Sequence, residues 1–242
     1  MPNKYSKSFI RKKYSKKNFD GINVNGFSKK DYRCIVLVAR NHGLATLNYL
    51  IEKSNPFKVI AIFTHKLNPK SEDPRRKVRK DFKNFVKISK LECVPLYTID
   101  KKNDVLLLEN FARKNNYDFL ISVSWRYLIS PTIFKKARYG SINIHRGDLP
   151  RYKGIKPIEK AIKNNEKKIF ICAHNISSRY DRGKIISKIS HTLQYEKSKS
   201  LEQNIERIKK DITPLFAKLI KKALFKKINY VLLKNKKCKD RV

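Results

Sequence analysis

Hydrophobic residues do not recur evenly along this chain, and the change of pattern near residue 32 organises the rest. Residues 1–31 are polar and basic without clean periodicity, and read as a loosely ordered tail. Cys34–Ala39 is then a short unbroken apolar run, the mark of a strand covered on both faces. Asn41-His42-Gly43 punctuates it, and residues 44–53 read as a helix. Phe57–Thr64 is a second buried strand, followed by a basic loop with Pro69 and Pro74. Phe82, Phe85, Val86 and Ile88 mark the apolar face of a helix. Residues 93–99 predict a third strand, 104–116 a helix with leucines at helical spacing, and 118–125 a fourth strand.

Strands are next predicted over 141–145, 168–176 and 184–193, with a short helix over 157–163. The stretch from Leu201 to Lys222 is amphipathic and reads as a covering helix. Its Pro214 predicts a kink or a division into two helices. Alternating strands and helices at this spacing give an α/β fold, an open, mostly parallel, doubly wound sheet with flanking helices. Ligands in such sheets bind outside the carboxyl ends of the strands. The chemistry is therefore expected after Val38, Thr64, Trp125 and His145.

Composition narrows this picture. A chain of 242 residues with 40 % hydrophobic residues, 13 Phe and 12 Tyr can bury a core and is not a disordered basic protein. No apolar run approaches the ~18 residues of a membrane span. The basic N-terminus has no apolar segment of a secretory signal, so a reduced, cytoplasmic protein is expected. Cys34, Cys93, Cys172 and Cys238 have no metal-ligand spacing, and the first three sit in apolar runs as expected buried thiols. The net charge of +38 is spread along the chain. Residues 1–30 carry nine Lys/Arg against one acid, 66–90 ten against three, and 207–242 thirteen against two. That charge reads either as a polyanionic partner, RNA included, or as compositional drift toward lysine.

The candidate chemistry gathers in one window. Only seven glycines occur, and four of them, Gly140, Gly147, Gly154 and Gly183, fall within 44 residues. In residues 141–145 the period of two puts Asn143 and His145 on one face. An amide beside an imidazole at a strand end is either an oxyanion site or a pair of satisfied strand-end polar groups. His174 lies in a later strand, and Asp181 follows seven residues on, in a turn that contains Gly183. An acid there raises a neighbouring imidazole's pKa and relays its proton, or simply closes a turn.

These residues resemble the folate-dependent formyltransferases, whose core motif looks like N-x-H-x-[SG]-x-L-P-x-[YW]-x-G. Here it stands as Asn143-Ile144-His145-Arg146-Gly147-Asp148-Leu149-Pro150-Arg151-Tyr152-Lys153-Gly154. Asp181 follows His145 by 36 residues, as the family's catalytic Asp does, and His174 fits a second His seven residues before that Asp. Residues 118–134 look like the family's strand and folate-binding loop, and the resemblance covers about residues 33–205.

The resemblance implies a Rossmann-like catalytic domain over 32–205, flanked by the tail 1–31 and a basic helical extension over 206–242. It implies Asn143, His145 and Asp181 as catalytic residues. Trp125, Arg126, Tyr127, Leu128 and Ile129 would line the folate pocket. Gly147, Leu149, Pro150, Gly154, His174 and Gly183 would position the site. The reaction implied moves a formyl group from 10-formyltetrahydrofolate to a primary amine, with no metal. Asn143 and a protonated His145 would stabilise the oxyanion, and Asp181 would raise the pKa of His145 and accept the amine's proton.

Two acceptors stand level. Lys70, Arg75, Arg76, Lys77 and Arg79 lie in the loop where tRNA-acting relatives carry a basic insertion. Those relatives have a further C-terminal domain of ~100 residues, whereas 37 residues follow residue 205 here. The length and Gly147 suit a nucleotide-linked amino sugar. Glycinamide ribonucleotide fits less well, because Arg40-Asn41-His42-Gly43 is not a Gly-rich phosphate turn. Other differences from the family are Phe170-Ile171-Cys172 in place of Gly-x-Thr and the bulky Trp125-Arg126. The alternatives are hydrolysis of formyltetrahydrofolate by the same three residues, and a basic RNA-binding module on the same fold.

Overall fold

A computed structural model describes residues 32–239, with side chains to 235. The expected N-terminal tail lies outside the described residues, and the side chain of Cys238 lies outside those described. Seven strands form one sheet in the order β3-β2-β1-β4-β5-β6-β7. The strands are β1 Tyr32–Val38, β2 Phe57–Thr64, β3 Leu96–Thr98, β4 Phe119–Val123, β5 Gly140–His145, β6 Lys168–Asn175 and β7 Ile185–Thr192. The first five run parallel, and β6 and β7 are antiparallel. This is the predicted doubly wound α/β sheet. Among the described residues six α-helices and a 3-10 turn at Lys102–Asp104 complete the fold: α1 Arg40–Ile51, α2 Phe82–Leu91, α3 Val105–Lys114, α4 Pro131–Phe134, α5 Pro157–Lys163 and α6 Leu201–Lys239. No helix among the described residues is long and apolar enough to cross a membrane.

The unbroken apolar runs read as strands because both faces of the sheet are covered. On one face Ile35, Leu37, Ala61, Phe63 and Leu120 pack with Leu108 and Ala112 of α3 and Ile133 of α4. On the other, Leu47 and Leu50 of α1 are buried together with Phe216, Leu219 and Ile220 of α6. Tyr32, Phe57, Phe119 and Tyr139 form an aromatic cluster at ring separations of 5.1–6.2 Å, which Phe225 of α6 joins at 6.0 Å from Phe57.

Several expectations change. Asn41-His42-Gly43 is the first turn of α1 and not a break before it. A Cβ on Gly43 would lie 3.0 Å from Val38 Cβ, so glycine lets the helix start directly against its own strand. β3 is shortened to three residues, preceded by Pro95, which has no N–H to pair. Cys93 is exposed at φ +52° and is not a buried thiol. Pro214 does not divide the last helix: α6 is continuous from Leu201 to Lys239. Ile212, Phe216, Leu219 and Ile220 around the proline are fully buried, and that packing outweighs one missing hydrogen bond. The expected boundary at 205/206 therefore falls inside a helix. Buried residues of α6 through Ile228 belong to the core, and the described residues form one compact unit.

Two histidines are buried in this framework. His42 lies 4.5 Å from the Phe216 ring, and His65 stacks on Trp125 at 4.5 Å. Burial, with nearby arginines, lowers both pKa values to about 3. The unfolded chain takes up these protons first, near pH 6.5. Their contribution is therefore complete above that pH and is lost as the pH falls toward 3. The expected result is a urea midpoint that declines from about pH 6.5 downward, at up to ~1.4 kcal/mol per pH unit for each group. His42→Phe should flatten that decline, read by urea unfolding across pH 4–8.

Candidate active site

The site forms where the parallel part of the sheet meets the antiparallel part. β5 pairs with β6 so that Asn143 stands opposite His174 and His145 opposite Cys172. Period-two alternation then presents Asn143, His145 and His174 to the same side. The chain leaving β6 must return a carboxylate to that side. It does so through the turn 176–184, closed by the Asn175 N–H donating to the Lys184 carbonyl at 2.9 Å. Gly183 permits this: a Cβ there would lie 1.7 Å from the Asn175 carbonyl oxygen. Asp181 sits in the turn at φ +51°, a region that Asp tolerates better than most residues.

Asp181 reaches Asn143, His145 and His174. Its Oδ2 accepts the Gly154 N–H at 2.9 Å and lies 3.2 Å from His145 Nδ1. Its Oδ1 lies 3.4 Å from His174 Nε2 and 3.5 Å from Asn143 Nδ2. Each imidazole also meets a backbone carbonyl. His145 Nε2 is 2.6 Å from the Tyr152 oxygen and His174 Nδ1 is 2.8 Å from the Asn175 oxygen. A carbonyl only accepts, so His145 carries a proton on Nε2 and His174 one on Nδ1. His174 Nε2 is then the acceptor for Asn143 Nδ2–H at 3.0 Å. That contact sets the rotation of the Asn143 amide.

Electrostatics corrects one expectation. Burial lowers the pKa of His145, and the Asp181 charge and the Tyr152 carbonyl oppose this without overcoming it. His145 is thus a neutral N–H donor in the resting site, and not the imidazolium that pairing with Asp181 alone would give. For Asp181 burial works the other way, but the Gly154 N–H and the charge that the His174 and His145 rings carry when protonated outweigh it and hold the carboxyl below its usual range. A neutral His145 with its proton on Nε2 turns the Nδ1 lone pair toward a carboxylate 3.2 Å away. That gap is a ready seat for one more proton.

The remaining predicted residues fall into two groups. Leu149, Pro150, Lys153, Asp181, Arg182, Gly183 and Ile185 line an open cleft of about 170 Å³. Gly147 is held to glycine by packing, because a Cβ would lie 2.6 Å from Pro157 Cβ and 3.0 Å from His145 Nε2. The loop 125–129 follows β4. Trp125 packs on the core and Ile129 is part of it. Arg126 donates to the Leu67 carbonyl at 2.6 Å and Tyr127 OH to the Asp100 carbonyl at 2.9 Å. Leu128 is exposed. The loop therefore ties itself to the basic segment after β2. Sequence reasoning missed the carbonyls of Tyr152 and Asn175, which fix both tautomers. Backbone groups carry no side-chain signature, and only the glycines beside them hinted at a close approach.

The formyl transferase family profile matches residues 29–216. Methionyl-tRNA formyltransferase of Orientia tsutsugamushi (strain Boryong) is 34 % identical over 130 residues, 53 % of this chain and 40 % of that protein. The enzyme of that name from Rickettsia massiliae (strain Mtu5) is 29 % identical over 102 residues, 42 % of this chain and 33 % of that one. The matched segments thus span well under half of these relatives. Among solved structures, phosphoribosylglycinamide formyltransferase from Bacillus halodurans superposes with a TM-score of 0.60 at 20 % identity, covering 80 % of this chain and 94 % of that one. A formyltetrahydrofolate deformylase from Pseudomonas syringae pv. tomato gives 0.60 at 19 % identity, covering 79 % and 60 %. These likenesses show a shared fold. The chain belongs to the formyl transferase family.

The two turn glycines should differ on substitution. Gly154→Ala meets nothing within 4 Å but must hold φ +77°, and should cost about 1–2 kcal/mol. Gly183→Ala must push the turn off Asn175 and should cost more, with Asp181 displaced. Calorimetric unfolding of the two variants checks the order.

Proposed function

We propose that this member of the formyl transferase family moves a formyl group from 10-formyltetrahydrofolate to a primary amine, with Asn143, His145 and Asp181 at the reacting centre. The observation that carries the reading is Asp181 within 3.5 Å of both imidazoles and the Asn143 amide, beside an open cleft. Leu149, Pro150 and Ile185 give that cleft an apolar wall, and Lys153 and Arg182 add two cations, a lining suited to an aromatic donor with carboxylates. At about 170 Å³ it is smaller than the ~300–1,000 Å³ of enclosing ligand pockets, so the donor would lie half-exposed.

The amine attacks the formyl carbon and negative charge grows on the formyl oxygen; as the C=O bond re-forms, the bond from that carbon to the folate nitrogen breaks, and that nitrogen takes up the proton the amine has lost. Donors aimed at that oxygen stabilise the transition state. The Asn143 N–H now 3.5 Å from Asp181 is the weaker of that amide's two contacts, and is the one free to turn toward substrate. The amine's proton passes to the seat between Asp181 Oδ2 and His145 Nδ1. It converts a lone-pair clash into a charge-assisted hydrogen bond. His145 gains positive charge as the oxyanion forms, not before.

For the acceptor, methionyl-tRNA is the reading favoured by the similarity to two methionyl-tRNA formyltransferases and by the basic loop after β2. That loop is held in place: Leu67 pairs with Val78, and Arg76 Nη2 donates to the Asp100 carbonyl at 2.8 Å.

Purified protein supplied with 10-formyltetrahydrofolate should release tetrahydrofolate when methionyl-tRNA is added. Turnover only with a nucleotide-linked amino sugar would move the acceptor assignment, and release with no acceptor would make the chain a hydrolase. Asp181→Asn and His145→Ala should each lower turnover by at least ~100-fold, with unfolding midpoints near the parent's. Full turnover in either variant would overturn the assignment. Because His145 must be neutral to start and its pKa is lowered, kcat/KM should be level through neutrality and fall only at pH values below the ordinary imidazole range of about 6.5, as stopped assays across pH 4.5–8.5 would reveal.

A further inference from the structure

The loop 146–156, between β5 and α5, carries two backbone groups that the reacting centre needs, yet it has no regular secondary structure to hold them. The Tyr152 carbonyl accepts the His145 Nε2–H at 2.6 Å, and the Gly154 N–H is donated to Asp181 Oδ2 at 2.9 Å. Between these two contacts lies the 3.2 Å gap from Asp181 Oδ2 to His145 Nδ1. A shift of the loop would therefore move both walls of the proton seat. Packing leaves the carbonyl little room, because even a Cβ on Gly147 would lie 2.8 Å from the Tyr152 oxygen. Something outside the loop must fix the Tyr152 peptide.

The side chain of the same residue supplies that hold. Tyr152 is buried, and its hydroxyl donates to Glu166 Oε1 at 2.6 Å while accepting the Asn164 Nδ2–H at 3.1 Å. Glu166 also pairs with Arg151, whose guanidinium lies 5.1 Å from the centre of the Tyr152 ring. The backbone of Glu166 is itself fixed. Its N–H donates to the Ala161 carbonyl at 3.0 Å, and its carbonyl accepts the Tyr195 hydroxyl at 2.6 Å. Asn164 and Glu166 belong to the connection from α5 to β6, and Tyr195 follows β7. A phenol that donates to a carboxylate while accepting from an amide is a polarised, charge-assisted link. Glu166 makes no hydrogen bond to Asn143, His145, His174 or Asp181 among the described residues, so its effect on them passes through Tyr152.

We infer that Glu166 is a positioning residue for formyl transfer: by gripping the Tyr152 hydroxyl it sets the Tyr152 carbonyl, which holds His145 with its proton on Nε2 and its Nδ1 lone pair toward Asp181. The role in transfer rests on the formyl-transfer reading; the hold on the His145 ring does not. Without the carboxylate the phenol loses its acceptor and the loop gains freedom. His145 can then carry its proton on Nδ1 and donate it to Asp181. That ring fills the proton seat before the amine arrives, and turnover falls although no group that touches substrate has been removed.

The test reads the ring first and turnover second, on the full chain. In long-range ¹H–¹⁵N correlation spectra without folate, the parent's His145 should carry its proton on Nε2, and Glu166→Ala should show a mixture of both tautomers. Glu166→Gln keeps an oxygen that accepts the Tyr152 hydroxyl and should restore the parent's spectrum. Tyr152→Phe removes only the hydroxyl, and should give the same mixture if Glu166→Ala does not fold. Glu159→Ala removes an acid of α5 that pairs with Lys156 and Lys163 at 3.1 and 2.9 Å, and should leave the ring unchanged. With 10-formyltetrahydrofolate and methionyl-tRNA, Glu166→Ala should lower kcat about tenfold with KM within about twofold, and Glu166→Gln should recover most of the loss. A parent-like His145 spectrum in Glu166→Ala or Tyr152→Phe, a Gln variant no better than the Ala one, or the same mixture in Glu159→Ala would overturn the proposal. Because the spectra need no formyl donor, a parent without transfer activity overturns the formyl-transfer reading and leaves the hold on His145 standing. A parent that turns over beside an equally active Glu166→Ala overturns the positioning role and leaves the transfer reading standing.

Discussion

The site depends on where one carboxylate is seated. Asp181 accepts the Gly154 N–H and lies against two imidazoles and an amide, and each of those groups is placed by something else in the fold. The antiparallel β5–β6 pair sets Asn143 across from His174. The Gly183 contact with Asn175 lets the turn fold back far enough for Asp181 to arrive. The Tyr152 carbonyl holds the far side of His145. Moving the turn by the width of a methyl group would break several of these contacts together. Two of the chain's seven glycines, Gly147 and Gly183, stand where a Cβ would strike the backbone within this small volume.

Much of this was legible in the sequence. Continuous apolar runs gave the buried parallel strands, and Phe57–Thr64 came out with both ends in place. The 36-residue interval from His145 to Asp181, with His174 between, picked out residues that do meet in space. What escaped were outcomes decided by packing. Pro214 reads as a helix breaker, yet its neighbours are buried so completely that the helix runs on. Asn41-His42-Gly43 reads as a loop, because the closeness of Gly43 to Val38 is a tertiary fact. The charge state of His145 was misjudged for a similar reason. A nearby acid is visible in the spacing, whereas the burial that outweighs it is not.

That charge state shapes the chemistry. An imidazolium paired permanently with Asp181 would leave no place for a proton, whereas a neutral ring with its lone pair toward the carboxylate creates one. The +38 of the whole chain is diffuse, but at the carboxyl edge of the parallel strands it is organised. Arg40, Arg126 and Arg146 stand at the ends of β1, β4 and β5, the strands that carry the site.

The tautomers of the two site histidines test this account most directly. Long-range ¹H–¹⁵N correlation spectra of the imidazole rings at pH 7 should show His145 neutral and protonated on Nε2, and His174 protonated on Nδ1. A His145 ring doubly protonated at that pH, or a His174 ring carrying its proton on Nε2, would contradict the account.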